Sequence, residues 1–69
     1  MHRQSVTSSN ISSIGYDASS QTLDVEFQNG GIYQYYDVPQ HEYVGLMIAP
    51  SHGKYFVSQI KGRYRYSRI

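Results

Sequence analysis

The stretch SSQTLDVEFQNGGIYQYYDVP, residues 19–39, decides how this chain folds. Leu23, Val25 and Phe27 alternate with Thr22, Asp24 and Glu26, so a strand here has one apolar and one polar face. Asn29, Gly30 and Gly31 follow, residue types that accept the positive φ of a tight connection, and IYQYYDV returns as the partner strand of a hairpin. Turn length then sorts the tyrosines. A two-residue loop, Asn29-Gly30, pairs Phe27 with Ile32 and Val25 with Gln34 and brings Tyr36 to the apolar face. A three-residue loop, Asn29-Gly30-Gly31 with Gly31 left-handed, pairs Phe27 with Tyr33 and Val25 with Tyr35 instead. The longer loop is preferred, because two consecutive glycines suit it and it sets a tyrosine pair, rather than Gln34, beside Val25 and Phe27.

Upstream, NISSIGYD at residues 10–17 supplies a strand before the hairpin. Downstream, Pro39 fits the first turn of a helix, where its missing N–H costs nothing, and Tyr43, Leu46 and Met47 continue at helical spacing until Pro50. Ser51 is a natural N-cap for a second short helix, HGKYFVSQIKG, with Phe56 and Ile60 on one side and Gly62 at its end. RYRYSRI at residues 63–69 alternates, and either adds a fourth strand or frays. The expected architecture is α+β, a small antiparallel β-meander of three or four strands followed by two short helices packed on one sheet face. Residues 1–69 form one domain, with the Ser-rich start, residues 1–8, expected to be mobile.

A chain of 69 residues can bury little surface, so every large apolar group counts. Eight tyrosines and no tryptophan mean that some phenol rings must be core, with hydroxyls directed to partners at the core edge. The absence of cysteine excludes disulfides, thiol catalysis and Cys-ligated zinc. No apolar run approaches the roughly 20 residues that span a bilayer, and MHRQSVTSSN lacks the apolar region of a signal peptide, so a soluble, cytoplasmic protein is expected. Net charge is +1, yet it is sorted: all five acids lie within residues 17–42, and Lys54, Lys61, Arg63, Arg65 and Arg68 follow with no acid among them.

Catalytic patterns are missing. His2, His41 and His52 are scattered without metal-ligand spacing, and no Gly-x-Ser-x-Gly elbow or phosphate-binding glycine fingerprint occurs. Asp24 and Glu26 share a strand face, where a solvated surface explains them better than a carboxylate pair does. No enzyme, metal or cofactor is expected. Nucleic acid fits better. Tyr33 and Tyr35, on one strand face roughly 7 Å apart, could each stack a base, against the plainer alternative that they pack under a helix. KGRYRYSRI mixes Lys61, Arg63, Arg65 and Arg68 with Tyr64 and Tyr66, as a surface tracking phosphates and bases would; if extended, Arg63 and Arg65 share one face and Tyr64 and Tyr66 the other. A solubilising tail is the competing view. Ser51, Gly53 and Lys54 form a candidate anion site at the start of the second helix, although capping alone accounts for Ser51.

SSNISSIGYD, LDVEFQNGGIYQYYDVP with its Tyr33-x-Tyr35, and APSHGKYF with its Ser51-x-Gly53, in this order and spacing over nearly the whole length, resemble the KTSC domain. That family is a short, chiefly bacterial module, named for the C-terminal part of some lysyl-tRNA synthetases and also found free-standing. Its members commonly carry Asn where this chain has Val57. The resemblance implies RNA binding by association with a tRNA synthetase. It also favours the register that puts Tyr33 and Tyr35 on the committed face. The expected function is therefore a non-enzymatic, monomeric binding module for RNA, with Tyr33, Tyr35, Lys54, Lys61, Arg63, Tyr64, Arg65 and Arg68 as contacts. The alternative is a protein-interaction module using the tyrosines and the charge asymmetry.

Overall fold

A computed structural model describes residues 3–69. Five strands, β1 (Arg3–Ser5), β2 (Ile11–Asp17), β3 (Thr22–Phe27), β4 (Ile32–Tyr35) and β5 (Tyr66–Arg68), form one sheet in the order β1-β2-β3-β4-β5, every neighbour antiparallel. Between β4 and β5 come α1 (Gln40–Ile48) and α2 (His52–Tyr55), the latter running on as a π-helical turn, Phe56–Ile60. The α+β meander with helices on one face is thus the architecture, with five strands where three or four were expected. Both additions are edge strands. β1 lies within residues 1–8, where a mobile start was expected; residues 1 and 2 of that segment, His2 included, lie outside the described residues.

The hairpin turn has the expected length in a different place. Gly30 carries the positive φ, +93°, and its N–H donates to the Phe27 carbonyl at 2.9 Å, so the loop is Gln28-Asn29-Gly30 and not Asn29-Gly30-Gly31. Phe27 N–H donates to Gly31 O at 2.9 Å, and Asn29 Oδ1 accepts from Gly31 N at 2.9 Å. Gly31 is therefore the closing residue, locked by the asparagine side chain, and the left-handed residue is Gly30. Val25 pairs with Tyr33 and Leu23 with Tyr35, in place of Phe27 with Tyr33 and Val25 with Tyr35. The slip is two residues, which preserves the faces: Tyr33 and Tyr35 stand with Leu23, Val25 and Phe27.

β2 contributes a feature that its sequence hides. Ile11 pairs with Phe27 but Ser13 pairs with Glu26, so Ser12 is an extra residue, a bulge. Ile11 and Ile14 are three apart, which plain alternation would split between faces. The bulge resets the alternation, and both are fully buried beneath the helices. The core joins them to Leu23, Val25 and Tyr35 of the sheet, to Val38, and to Leu46, Phe56 and Ile60 from above.

The helices begin and end for legible reasons. Pro39, extended at φ −65° and ψ 153°, precedes α1. Ser51 Oγ accepts from Lys54 N at 3.2 Å and caps α2. In the π-helical turn Lys61 N–H reaches Phe56 O at 2.8 Å, and Gly62, at φ +83°, releases the chain toward β5. Glu42 lies on the buried stripe of α1, 6 % exposed, with Leu46 one turn on. Its charge is tolerated because two phenols answer it: Tyr55 donates to Oε1 at 2.7 Å and Tyr64 to Oε2 at 2.9 Å. This clamp ties α1, α2 and the approach to β5 together. The acceptor raises both phenols: the hydrogen bond to Glu42 leads in taking Tyr55 up to about 12, whereas burial leads for Tyr64.

Candidate nucleic-acid interface

Where the π-helical turn stops short of the β3–β4 end of the sheet, a groove of about 590 Å³ opens. Its floor is aromatic. Phe27, Tyr33 and Tyr35 project from the hairpin and Phe56 from the helix, with Phe27 edge-on to both Tyr33, at 5.5 Å between ring centroids, and Phe56, at 5.4 Å. Tyr66 arrives from β5 because it pairs with Tyr35, and its ring tilts over Tyr35 at 5.4 Å and Tyr33 at 5.7 Å while remaining 59 % exposed. Arg68 pairs with Tyr33 and folds its guanidinium back over that ring, 5.8 Å from the centroid. Asn10, Gln28 and Asn29 line the groove from the strand side and Gly53, Val57 and Lys61 from the helical side, the two sides meeting where Gly53 abuts Asn10.

The question whether Tyr33 and Tyr35 are core or platform resolves differently for each. Tyr35 is core, 4 % exposed and edge-on to Phe56, and reaches the groove as floor; burial, then the neighbouring Tyr66 and Tyr33 phenols, push it up to about 12. Tyr33 is half-buried, with its ring shared between the core and Arg68.

A second hollow of about 720 Å³ lies across the Gly53–Val57 ridge, and Ser51, Gly53 and the exposed Lys54 line it with Ser8, Ser9 and Asn10. Those three residues were expected to converge on an anion. They do share the hollow, but the Lys54 N–H is already held by Ser51 Oγ, and Gly53 abuts Asn10, whose Nδ2 a Cβ there would meet at 3.4 Å.

The remaining expected contacts go elsewhere. Tyr64 is held by Glu42. Arg63 bonds Gln59 Oε1 at 3.1 Å. Arg65 pairs with Asp37 at 2.9 Å and lies over Tyr36, whose N–H donates to the Arg65 carbonyl. The alternation expected from Arg63 begins only at Arg65, whose carbonyl accepts from Tyr36 in the register of the β4–β5 pairs; Arg63 lies in the preceding turn and Tyr64 is held by Glu42. Of five late cations, Lys54, Lys61 and Arg68 border the two hollows or their floor. Tyr66 is the contact the sequence reading passed over as a site. Its sequence signal is that Tyr66 and Arg68 are two apart, but using it required knowing where β5 starts.

Among the described residues, neither hollow is lined by an acid. Asp24, expected on a solvated surface but 2 % exposed and paired with Arg3 at 3.4 Å, and Glu26, half-buried and bonded by Ser13 at 2.9 Å, are on the opposite sheet face, and Glu42 is sealed inside. Among the described residues no group of three or more His, Cys, Asp or Glu could hold a metal ion, and no helix is long and apolar enough to cross a membrane.

Fold and groove together define a small α+β domain with a cationic, aromatic-floored cleft between a hairpin and a π-turned helix. The chain belongs to the KTSC domain family, whose model matches residues 7–64. It is 41% identical to an uncharacterized protein of Stutzerimonas stutzeri over 70 residues, covering 100% of this chain and 99% of that one. It is also 41% identical over 54 residues to a lysine–tRNA ligase of Trichormus variabilis, an alignment covering 78% of this chain but 10% of the ligase. The crystal structure of a KTSC domain protein from Yersinia pestis superposes with a TM-score of 0.97 at 41% identity, covering 99% of this chain and 96% of that one.

Proposed function

We propose that this domain is a non-enzymatic RNA-binding module whose contact surface is the groove and the adjoining hollow. The observation that carries the reading is the meeting of Tyr66, Tyr33 and Lys61 at one cleft, with Arg68 over the Tyr33 ring and no acid among the described lining residues. Such a surface offers stacking faces and phosphate partners together, which is what a single strand requires. Lys54 extends the cationic path beyond the ridge. The lysine–tRNA ligases that share the domain add support by analogy, since lysine–tRNA ligase names an enzyme with an RNA substrate. In this reading the domain works as a cytoplasmic monomer without a cofactor.

Fluorescence anisotropy with short labelled RNAs across a salt series tests it. Affinity falls linearly on a log–log plot, and Lys61→Ala and Arg68→Ala each reduce the slope by about 1. Arg65→Ala, whose side chain is turned to Asp37, leaves the slope unchanged. No binding at low salt, or a flat titration, refutes the reading; recovery of a protein partner that survives nuclease treatment transfers the groove to protein recognition.

A further inference from the structure

We propose that the groove is a pocket for one unstacked nucleobase, its ring against Tyr33 and Tyr66, its edge read by side-chain amides and its phosphate directed to Lys61. This rests on the RNA reading above and narrows it from a charged track to a site for a single nucleotide.

Shape comes first. The cleft is a half-open groove of about 590 Å³ with an aromatic floor, within the size range of sites that hold one small molecule. Hydrogen-bonding capacity comes next. Gln28 commits its Nε2 to Ser8 O at 3.2 Å and Ile11 O at 3.3 Å, which leaves Oε1 as an acceptor. Asn29 commits Oδ1 to Gly31 N, which leaves its Nδ2 protons to donate. The Asn10 side chain makes no hydrogen bond among the described residues, so both its donor and acceptor are available. Gln28 and Asn29 are thus held at the groove's lining by bonds that spend half of each amide and leave the other half uncommitted.

That combination selects among ligands. A lipid chain or an aliphatic side chain would cover the floor but make no use of the uncommitted amide groups of Asn10, Gln28 and Asn29, which are exposed at the groove. A methylated ammonium group suits an aromatic cage, but Lys61 lines the groove, Arg68 adds a second cation beside Tyr33, and no carboxylate balances them among the described lining residues. A nucleobase has the required flat face, an edge of in-plane donors and acceptors, and a phosphate one sugar away for the lysine. The Arg68 guanidinium, itself planar and 5.8 Å from the Tyr33 ring centroid, adds a flat cationic group beside that ring.

The test is an NMR titration of the whole chain with the four nucleoside 5′-monophosphates, ribose 5-phosphate and inorganic phosphate, run beside the short RNAs. At least one nucleotide shifts the backbone amides of Asn10, Asn29, Tyr33 and Val57 saturably, while ribose 5-phosphate and phosphate move at most Lys61. Tyr66→Ala, at an exposed ring, weakens nucleotide binding by about fivefold or more, and Asn10→Ala weakens it with the fold's remaining resonances in place. RNA that binds while no nucleotide perturbs these amides overturns the pocket and leaves the RNA reading standing. Ribose 5-phosphate shifting them as strongly as the nucleotides also overturns it, since phosphate would then be what is recognised. Failure of both RNA and nucleotides removes the parent reading and the pocket together.

Discussion

Replacing Gly45 by alanine sets two effects of opposite sign against each other. Gly45 lies inside α1, where alanine is the better helix former by about 1 kcal/mol, so propensity alone calls the change stabilising. The structure reverses the sign. A Cβ at this position would fall on the Tyr55 hydroxyl and 2.8 Å from its Cζ, with Cε2 at 3.2 Å. The ring cannot yield freely, because its hydroxyl holds Glu42 Oε1 at 2.7 Å on a side chain 6 % exposed. Overpacking costs about 1 to 3 kcal/mol. Losing a hydrogen bond to a buried charged acceptor costs about 1.5 to 3 kcal/mol more. Net of propensity, Gly45→Ala destabilises by about 1.5 to 5 kcal/mol, which in a domain this small lowers Tm by roughly 6 °C or more. Thermal and urea unfolding followed by circular dichroism measures it. In a Tyr55→Phe background, where the bond to Glu42 is already gone, the same substitution costs less, and the difference is the coupling between the contact and the bond. A Gly45→Ala protein as stable as the parent, or more so, refutes this packing account of the clamp.

Three further outcomes are expected. Gly30→Ala destabilises by about 1 kcal/mol in urea titrations through backbone strain alone, since φ is +93° and nothing lies within 4 Å of the added methyl. Ser51→Ala costs about 1 kcal/mol by the same measurement, through loss of the cap on Lys54 N. At alkaline pH, Tyr35 and Tyr55, raised from 10.0 to about 12, deprotonate less readily folded than unfolded. Their contribution is full below about pH 10 and is lost as pH rises through about 12, so Tm falls across that window and Tyr55→Phe shows a smaller fall.

The alternation of Leu23, Val25 and Phe27, the Asn-Gly-Gly run and the Ser51 and Gly62 signals were enough to determine a hairpin, its faces and two short helices, because each is a local consequence of period or backbone freedom. That Tyr33 and Tyr35 share the face of Leu23, Val25 and Phe27 followed from the preferred odd-numbered loop, but whether helices cover that face was left open by the sequence. Tertiary structure decided the rest. The Ser12 bulge that buries both Ile11 and Ile14 exists only because β3 supplies one residue opposite two. Glu42 looks like any surface acid until Tyr55 and Tyr64, 13 and 22 positions away, bring their hydroxyls to it. The clamp fixes Tyr64, and from Arg65 onward, in register with Tyr36, alternation turns Tyr66 and Arg68 onto Tyr33 and Arg65 to the other face, against Asp37 and Tyr36. A face follows from neighbours along the chain. Which late side chains reach the groove depended on partners far apart in sequence, and only folding brings those into contact.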